Sequence, residues 1–162
     1  MILDCCIVHY YCLATPEHAV PPRIPPSIRC HLPYLLARAY QRQQRLFEAH
    51  TRDFDITGRD YGLLLMLESN PGLWQSEIAD LMGLDRTTVT YLVDGLQKRG
   101  WVAREPDPAD RRAHVVTMTT DGRTALESIR PAAAAAIDEV LAPLDETERD
   151  QLRALLTRLL GH

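Results

Sequence analysis

The stretch from Gln75 to Thr119 constrains the fold more than any other part of the chain. Ile78, Ala79, Leu81 and Met82 form the apolar side of a short helix over about Gln75–Met82, and Gly83 breaks it. Asp85 offers a side-chain cap for a second helix running to Arg99. Its Val89, Leu92, Val93 and Leu96 follow the i, i+3, i+4, i+7 rule and predict a buried face. Gly95 weakens that helix in its middle, and Gly100 suits the left-handed residue that closes one. Trp101–Arg104 and Val115–Thr119 are β-branched or aromatic enough for two short strands. The polar Glu105–His114 joins them through a loop longer than a tight turn requires.

Longer helices flank this element. Ser27 follows Pro26 as an N-cap, and Leu32, Leu35, Leu36, Ala39, Leu46 and Phe47 recur at helical spacing to about His50. Thr57, with Asp60 three residues on, reads as a capping box for a helix with apolar members Tyr61, Leu64, Leu65 and Leu67. Asn70-Pro71-Gly72 ends it. After the hairpin a helix is predicted from about Asp121, kinked at Pro131. Asp145 and Glu148 then form a second capping box ahead of Leu152, Leu155, Leu156, Leu159 and Leu160. The expected class is mainly α with a small β-hairpin wing (α+β), a winged helix-turn-helix with a helical dimerisation region. Residues 1–26 hold Cys5, Cys6 and Cys12 and a high density of proline, and are expected to form a flexible arm. Residues 27–162 form one domain. Within it 57–120 is the winged helix-turn-helix, and 27–56 and 121–162 are the dimerisation helices.

The hydrophobic share of 46% allows a real core. The net charge of −4 lends no support to nucleic-acid binding, because electrostatic affinity needs clustered Lys and Arg. Any such reading rests on where the few cations sit. The apolar run Met1–Leu13 is interrupted by Asp4 and His9, too short and polar for a membrane span. No basic region precedes it, so no secretory signal is expected and the compartment is taken as cytoplasmic and reducing. Glycine-rich phosphate loops, metal-spaced histidine pairs and nucleophile elbows are all absent from the sequence. Catalytic residues, cofactors and metals are therefore not assigned, and an enzyme is not expected. Cys5, Cys6, His9 and Cys12 are zinc-type donors, but at a spacing that matches no established site.

In a helix-turn-helix the second helix enters the major groove, and side chains near its N-terminus meet the base edges. Here those are Arg86, Thr87, Thr88, Thr90 and Tyr91. Arg86 can present paired donors to guanine, and the threonines can reach bases or phosphates. Arg111 and Arg112, on the hairpin tip, suit a narrow minor groove. A carboxylate is repelled by phosphate, so Asp110 is expected to orient an arginine through a charge-assisted hydrogen bond. A winged-helix module that binds only proteins is the rival reading. Arginines at both groove positions argue against it.

Gln75–Gly122, QSEIADLMGLDRTTVTYLVDGLQKRGWVAREPDPADRRAHVVTMTTDG, resembles the multiple-antibiotic-resistance regulator (MarR) family of winged-helix proteins. The family's wing pattern, Asp-x-Arg, five residues, then Leu-Thr, is matched by Asp110, Arg112 and Met118-Thr119, with Met for Leu. The resemblance spans about Ser27–Gly161. It implies a ligand-responsive repressor that acts as a homodimer on a near-palindromic operator in double-stranded DNA. Its two recognition helices would lie about 34 Å apart. It further implies a small aromatic acid or phenolic effector, with His31, Tyr34, Arg38 and Tyr61 as lining residues and Arg38 paired to a carboxylate. Some members sense peroxide through a cysteine near the first helix, which makes Cys30 a redox candidate. Trp74 departs from the small polar cap common in the family, so packing of its ring is expected to replace that cap.

Overall fold

The computed structural model describes residues 25–106 and 114–161. The predicted wing-tip residues Asp110, Arg111 and Arg112 lie outside the described residues, as do Cys5, Cys6, His9 and Cys12. Two compact units are distinguished, one running through Gln44 and the other beginning at Arg45.

In the first unit a single helical turn, Pro26–Arg29, is followed by the start of α1, Leu32–Thr51. The unbroken helix expected from Ser27 is therefore divided at Cys30–His31. Pro33 explains the division. A continuous helix would need its N–H to donate to Arg29, and its ring would strike that carbonyl. In the first turn of a new helix a proline costs nothing. Ser27 accordingly does not cap; Pro25 takes the cap position without a side-chain bond.

The second unit begins within α1, where Phe47 and Thr51 are buried and the Thr51 hydroxyl donates to the Phe47 carbonyl at 2.7 Å. Helix α2, Gly58–Ser69, starts at the Thr57–Asp60 capping box and buries Leu63, Leu64 and Leu67. There follow β1 (Leu73–Trp74), α3 (Gln75–Met82), α4 (Arg86–Lys98), β2 (Val102–Pro106), β3 (His114–Met118), α5 (Thr120–Leu141) and α6 (Glu146–Leu160). The strands form an antiparallel sheet in the order β1-β3-β2, with Leu73 opposite Val116 and Val102 opposite Met118. This is a winged helix-turn-helix between longer helices.

One core serves the unit, built from Phe47, Leu63, Leu64, Ile78, Val89, Val93, Leu96, Val102, Val116, Leu126 and Ile129 among others. Leu81 departs from expectation and is exposed. At 3.6 residues per turn it stands about a sixth of a turn beyond the edge of the arc shared by Ile78, Ala79 and Met82. Trp74 is also exposed rather than packed, and its backbone N–H donates to Glu77 Oε2 at 2.8 Å, so the carboxylate begins α3 instead. Helix α5 continues through Pro131, which lies on its exposed side. The carbonyl left without a partner there can be served by water. Nothing in the described residues forms a helix long and apolar enough to cross a membrane.

The junction between the wing and α5 is the tightest point of the fold. Thr119 N–H donates to the Trp101 carbonyl at 3.0 Å, and its hydroxyl donates to the Gly100 carbonyl at 2.6 Å. Gly122 N–H in turn donates to Thr119 Oγ1 at 3.0 Å. Gly122 is buried against the Trp101 carbonyl, and a Cβ there would lie 2.0 Å from that oxygen. Gly122→Ala is expected to destabilise the protein by about 3 kcal/mol through overpacking against fixed backbone. Urea unfolding checks this, and a wild-type midpoint would show that the contact can relax.

Candidate nucleic-acid interface

Helix α4 is set by its two ends and by one buried face. At its entry Gly83 adopts the left-handed conformation (φ +62°), which lets the Leu84 N–H return to the Ala79 carbonyl at 2.9 Å. Asp85 then caps α4: its Oδ1 accepts from the Thr88 N–H at 2.9 Å and its Oδ2 from the Thr88 hydroxyl at 2.6 Å. Those bonds, the hydroxyl's first and the backbone's next, hold the Asp85 carboxyl below the usual carboxylate range. Val89, Val93 and Leu96 are sealed in the core, which fixes the rotation of the helix about its axis.

That rotation turns Arg86, Thr87, Thr90 and Tyr91 outward, with Tyr91 at 73% exposure. Thr88 is half-buried, its hydroxyl given to Asp85, so it secures the helix start. The Thr90 hydroxyl donates to the Arg86 carbonyl at 2.9 Å. Arg86 forms no side-chain hydrogen bond or ion pair among the described residues, which leaves its planar fork of donors available.

Two other cations of this region, Arg99 and Arg104, are engaged within the fold. At the far end of α4, Arg99 Nη1 donates to the Phe54 carbonyl at 3.0 Å and Nη2 pairs with Asp55 Oδ2 at 2.6 Å. Its guanidinium also lies 5.0 Å from the Trp101 ring centroid. Arg104, on β2, pairs with Asp94 Oδ1 at 2.6 Å and donates to Gln97 Oε1 at 2.6 Å. Sequence reading missed the roles of Arg99, Arg104 and Asp94. Only the spacing of Thr90, Asp94 and Gln97 along one stripe hinted at a shared partner.

The proposed effector residues are divided between the two units. In the first unit His31 and Arg38 are exposed and Tyr34 is half-buried; Arg38 Nη1 donates to Gln41 Oε1 at 2.9 Å. Cys30 is half-buried there. In the second unit Tyr61 is half-buried, its ring tilted against Phe47 at 5.5 Å between centroids.

The model of the MarR family matches residues 54–113, from the turn before α2 to the wing. The transcriptional repressor MprA of Escherichia coli K12 is 33% identical over 124 residues, 74% of this chain and 70% of MprA. The chain belongs to the MarR family. Among solved relatives, the transcriptional repressor CouR, bound to a 23-mer DNA duplex, matches with a TM-score of 0.78 at 30% identity. The match covers 83% of this chain and 96% of CouR. BpsR of Bordetella bronchiseptica, whose structure concerns regulation of its DNA binding by 6-hydroxynicotinic acid, matches with a TM-score of 0.75 at 29% identity. That match covers 82% of this chain and 94% of BpsR. As a MarR-family protein the chain is a transcription regulator and not an enzyme.

The Asp85 cap has a pH signature. A carboxyl held below its unfolded value stabilises fully above about pH 4 and loses that contribution as pH falls through the lower, folded value. Asp85→Ala is expected to lower the thermal midpoint of this MarR-family regulator by a few degrees at pH 7. In strong acid the gap to wild type should close. Melting both proteins from pH 7 down into strong acid, about pH 2, checks this, and a gap that stayed constant would show that the ionised cap is not its source.

Proposed function

We propose that the protein is a repressor that binds a near-palindromic site in double-stranded DNA as a homodimer in the cytoplasm. The carrying observation is Arg86, unpaired among the described residues and presented beside exposed Thr87, Thr90 and Tyr91 on a helix whose opposite face is sealed in the core. Side chains so placed can enter a major groove, with Arg86 bidentate to guanine and Tyr91 or the threonine methyls against thymine. Thr88 would act from behind as the cap's partner. Arg111 and Arg112 on the wing would add minor-groove contacts, with Asp110 orienting one of them. CouR, bound to a duplex, supplies a precedent.

The dimer reading rests on apolar side chains that one chain leaves in water. Leu155, Leu159 and Leu160 on α6 are 57%, 67% and 69% exposed, and Leu32, Leu35, Leu36 and Tyr40 on the first part of α1 are exposed as well. Apolar stripes of that kind, each taken by itself, mark an interface. Sedimentation should give twice the 18.3 kDa chain mass.

Regulation by a small aromatic acid follows the precedent of BpsR. His31, Tyr34, Arg38 and Tyr61 supply the cation and rings that such a ligand would use, and each is to be substituted alone in calorimetry with 6-hydroxynicotinate and salicylate. Redox sensing through Cys30, or a protein-only module, has no specific observation in its favour.

The deciding experiment is fluorescence anisotropy with DNA from upstream of the protein's own operon, repeated across salt concentrations. Affinity should fall steeply with salt, because phosphate contacts release counterions. Arg86→Ala should cost about 1–3 kcal/mol and relax the preference at one base pair. Arg111→Ala and Arg112→Ala should each lower the salt slope by about 1. Binding that ignores salt, or that is indifferent to Arg86, would sink the reading.

A further inference from the structure

The wing strand and the recognition helix are tied by one guanidinium. Arg104 leaves β2 and meets three residues of α4: Asp94 Oδ1 at 2.6 Å, Gln97 Oε1 at 2.6 Å, and the Thr90 carbonyl at 3.4 Å. Thr90, Asp94 and Gln97 are spaced four and three residues apart, so they lie along one stripe of the helix. The Arg104 side chain is only 21% exposed, which places the pair in a less screened setting than the other ion pairs of the surface.

Position makes this contact more than an ordinary ion pair. The buried face of α4 packs against Val102 and Val116 of the wing strands and resists rotation of the helix, and the Arg104 contacts add a polar tie between α4 and β2 at the surface. Gly95 lies between Asp94 and Gln97, with open space where a Cβ would stand, and a glycine there weakens the helix locally. Arg104 contacts residues on both sides of Gly95, so its planar fork splints the weak point while fixing the helix to β2. Thr90, one of the three residues held, is also one of the outward-facing reading residues.

We propose that Arg104, acting through Asp94, is a positioning residue for DNA recognition: it sets the spacing between the α4 reading face and the wing, and does not itself contact phosphate. This rests on the DNA-binding reading above. It also runs against simple electrostatics, in which removing an acidic side chain beside a nucleic-acid site strengthens binding.

The sign of that effect supplies the test. Asp94→Ala, Arg104→Ala and the double variant are compared with wild type in operator anisotropy over a salt series, with thermal midpoints recorded alongside. Each single variant should lose about tenfold in affinity, and the double variant about tenfold again relative to wild type rather than a hundredfold, as expected for partners in one interaction. Asp94→Asn, which keeps an acceptor for Arg104, should retain most of the affinity and shows that the loss does not come from misfolding. The salt slope of Arg104→Ala should equal that of wild type. Three results overturn the proposal: tighter binding by Asp94→Ala, additive losses, or a slope lower by about 1, which marks a direct phosphate contact. Wild-type protein that binds no DNA defeats the parent reading instead, so the two failures are distinguishable.

Discussion

The structure turns on the burial of one face of α4. Val89, Val93 and Leu96 are withdrawn from water between α2, α3 and the sheet. Each buried side chain of that size contributes on the order of 2 kcal/mol. No surface contact competes with that sum, so the helix cannot roll to present a different side. The residues opposite are committed to solvent or to a partner. Capping acts on top of this constraint: Gly83 and Asp85 decide where the helix begins, and hence which residues form its first turn.

Charge is used sparingly. The chain is acidic overall, and several of its arginines are occupied inside the fold: Arg99 with Asp55, Arg104 with Asp94, Arg130 with Glu68, Arg153 with Asp150. Exposed pairs of this kind add little to stability. Their effect is instead to orient elements. An acidic protein can still bind DNA when its remaining positive charges are concentrated where the grooves are met.

The apolar residues left exposed on α6 and on the first part of α1 belong to the same economy. They repeat at helical spacing like the residues of a core, but are exposed among the described residues. A chain with such stripes gains by covering them with a second copy, and a two-fold pair would also present two reading helices to one duplex.

Much of the fold was legible in the sequence because local chemistry dictates it. The Thr57–Asp60 and Asp145–Glu148 capping boxes, the Asp85 cap, the Gly100 turn and the buried heptad-like face of α4 all follow from side chains acting within one turn of their own position. Even the split in the first helix was written in Pro33. Tertiary structure alone decided the rest. The strand Leu73–Trp74 is too short to signal itself and exists because β3 offers it an edge. Gly122 is required by a carbonyl twenty-one residues earlier, and Arg104 reaches an aspartate on another element. Such contacts depend on where the chain returns after a hairpin, which periodicity does not encode.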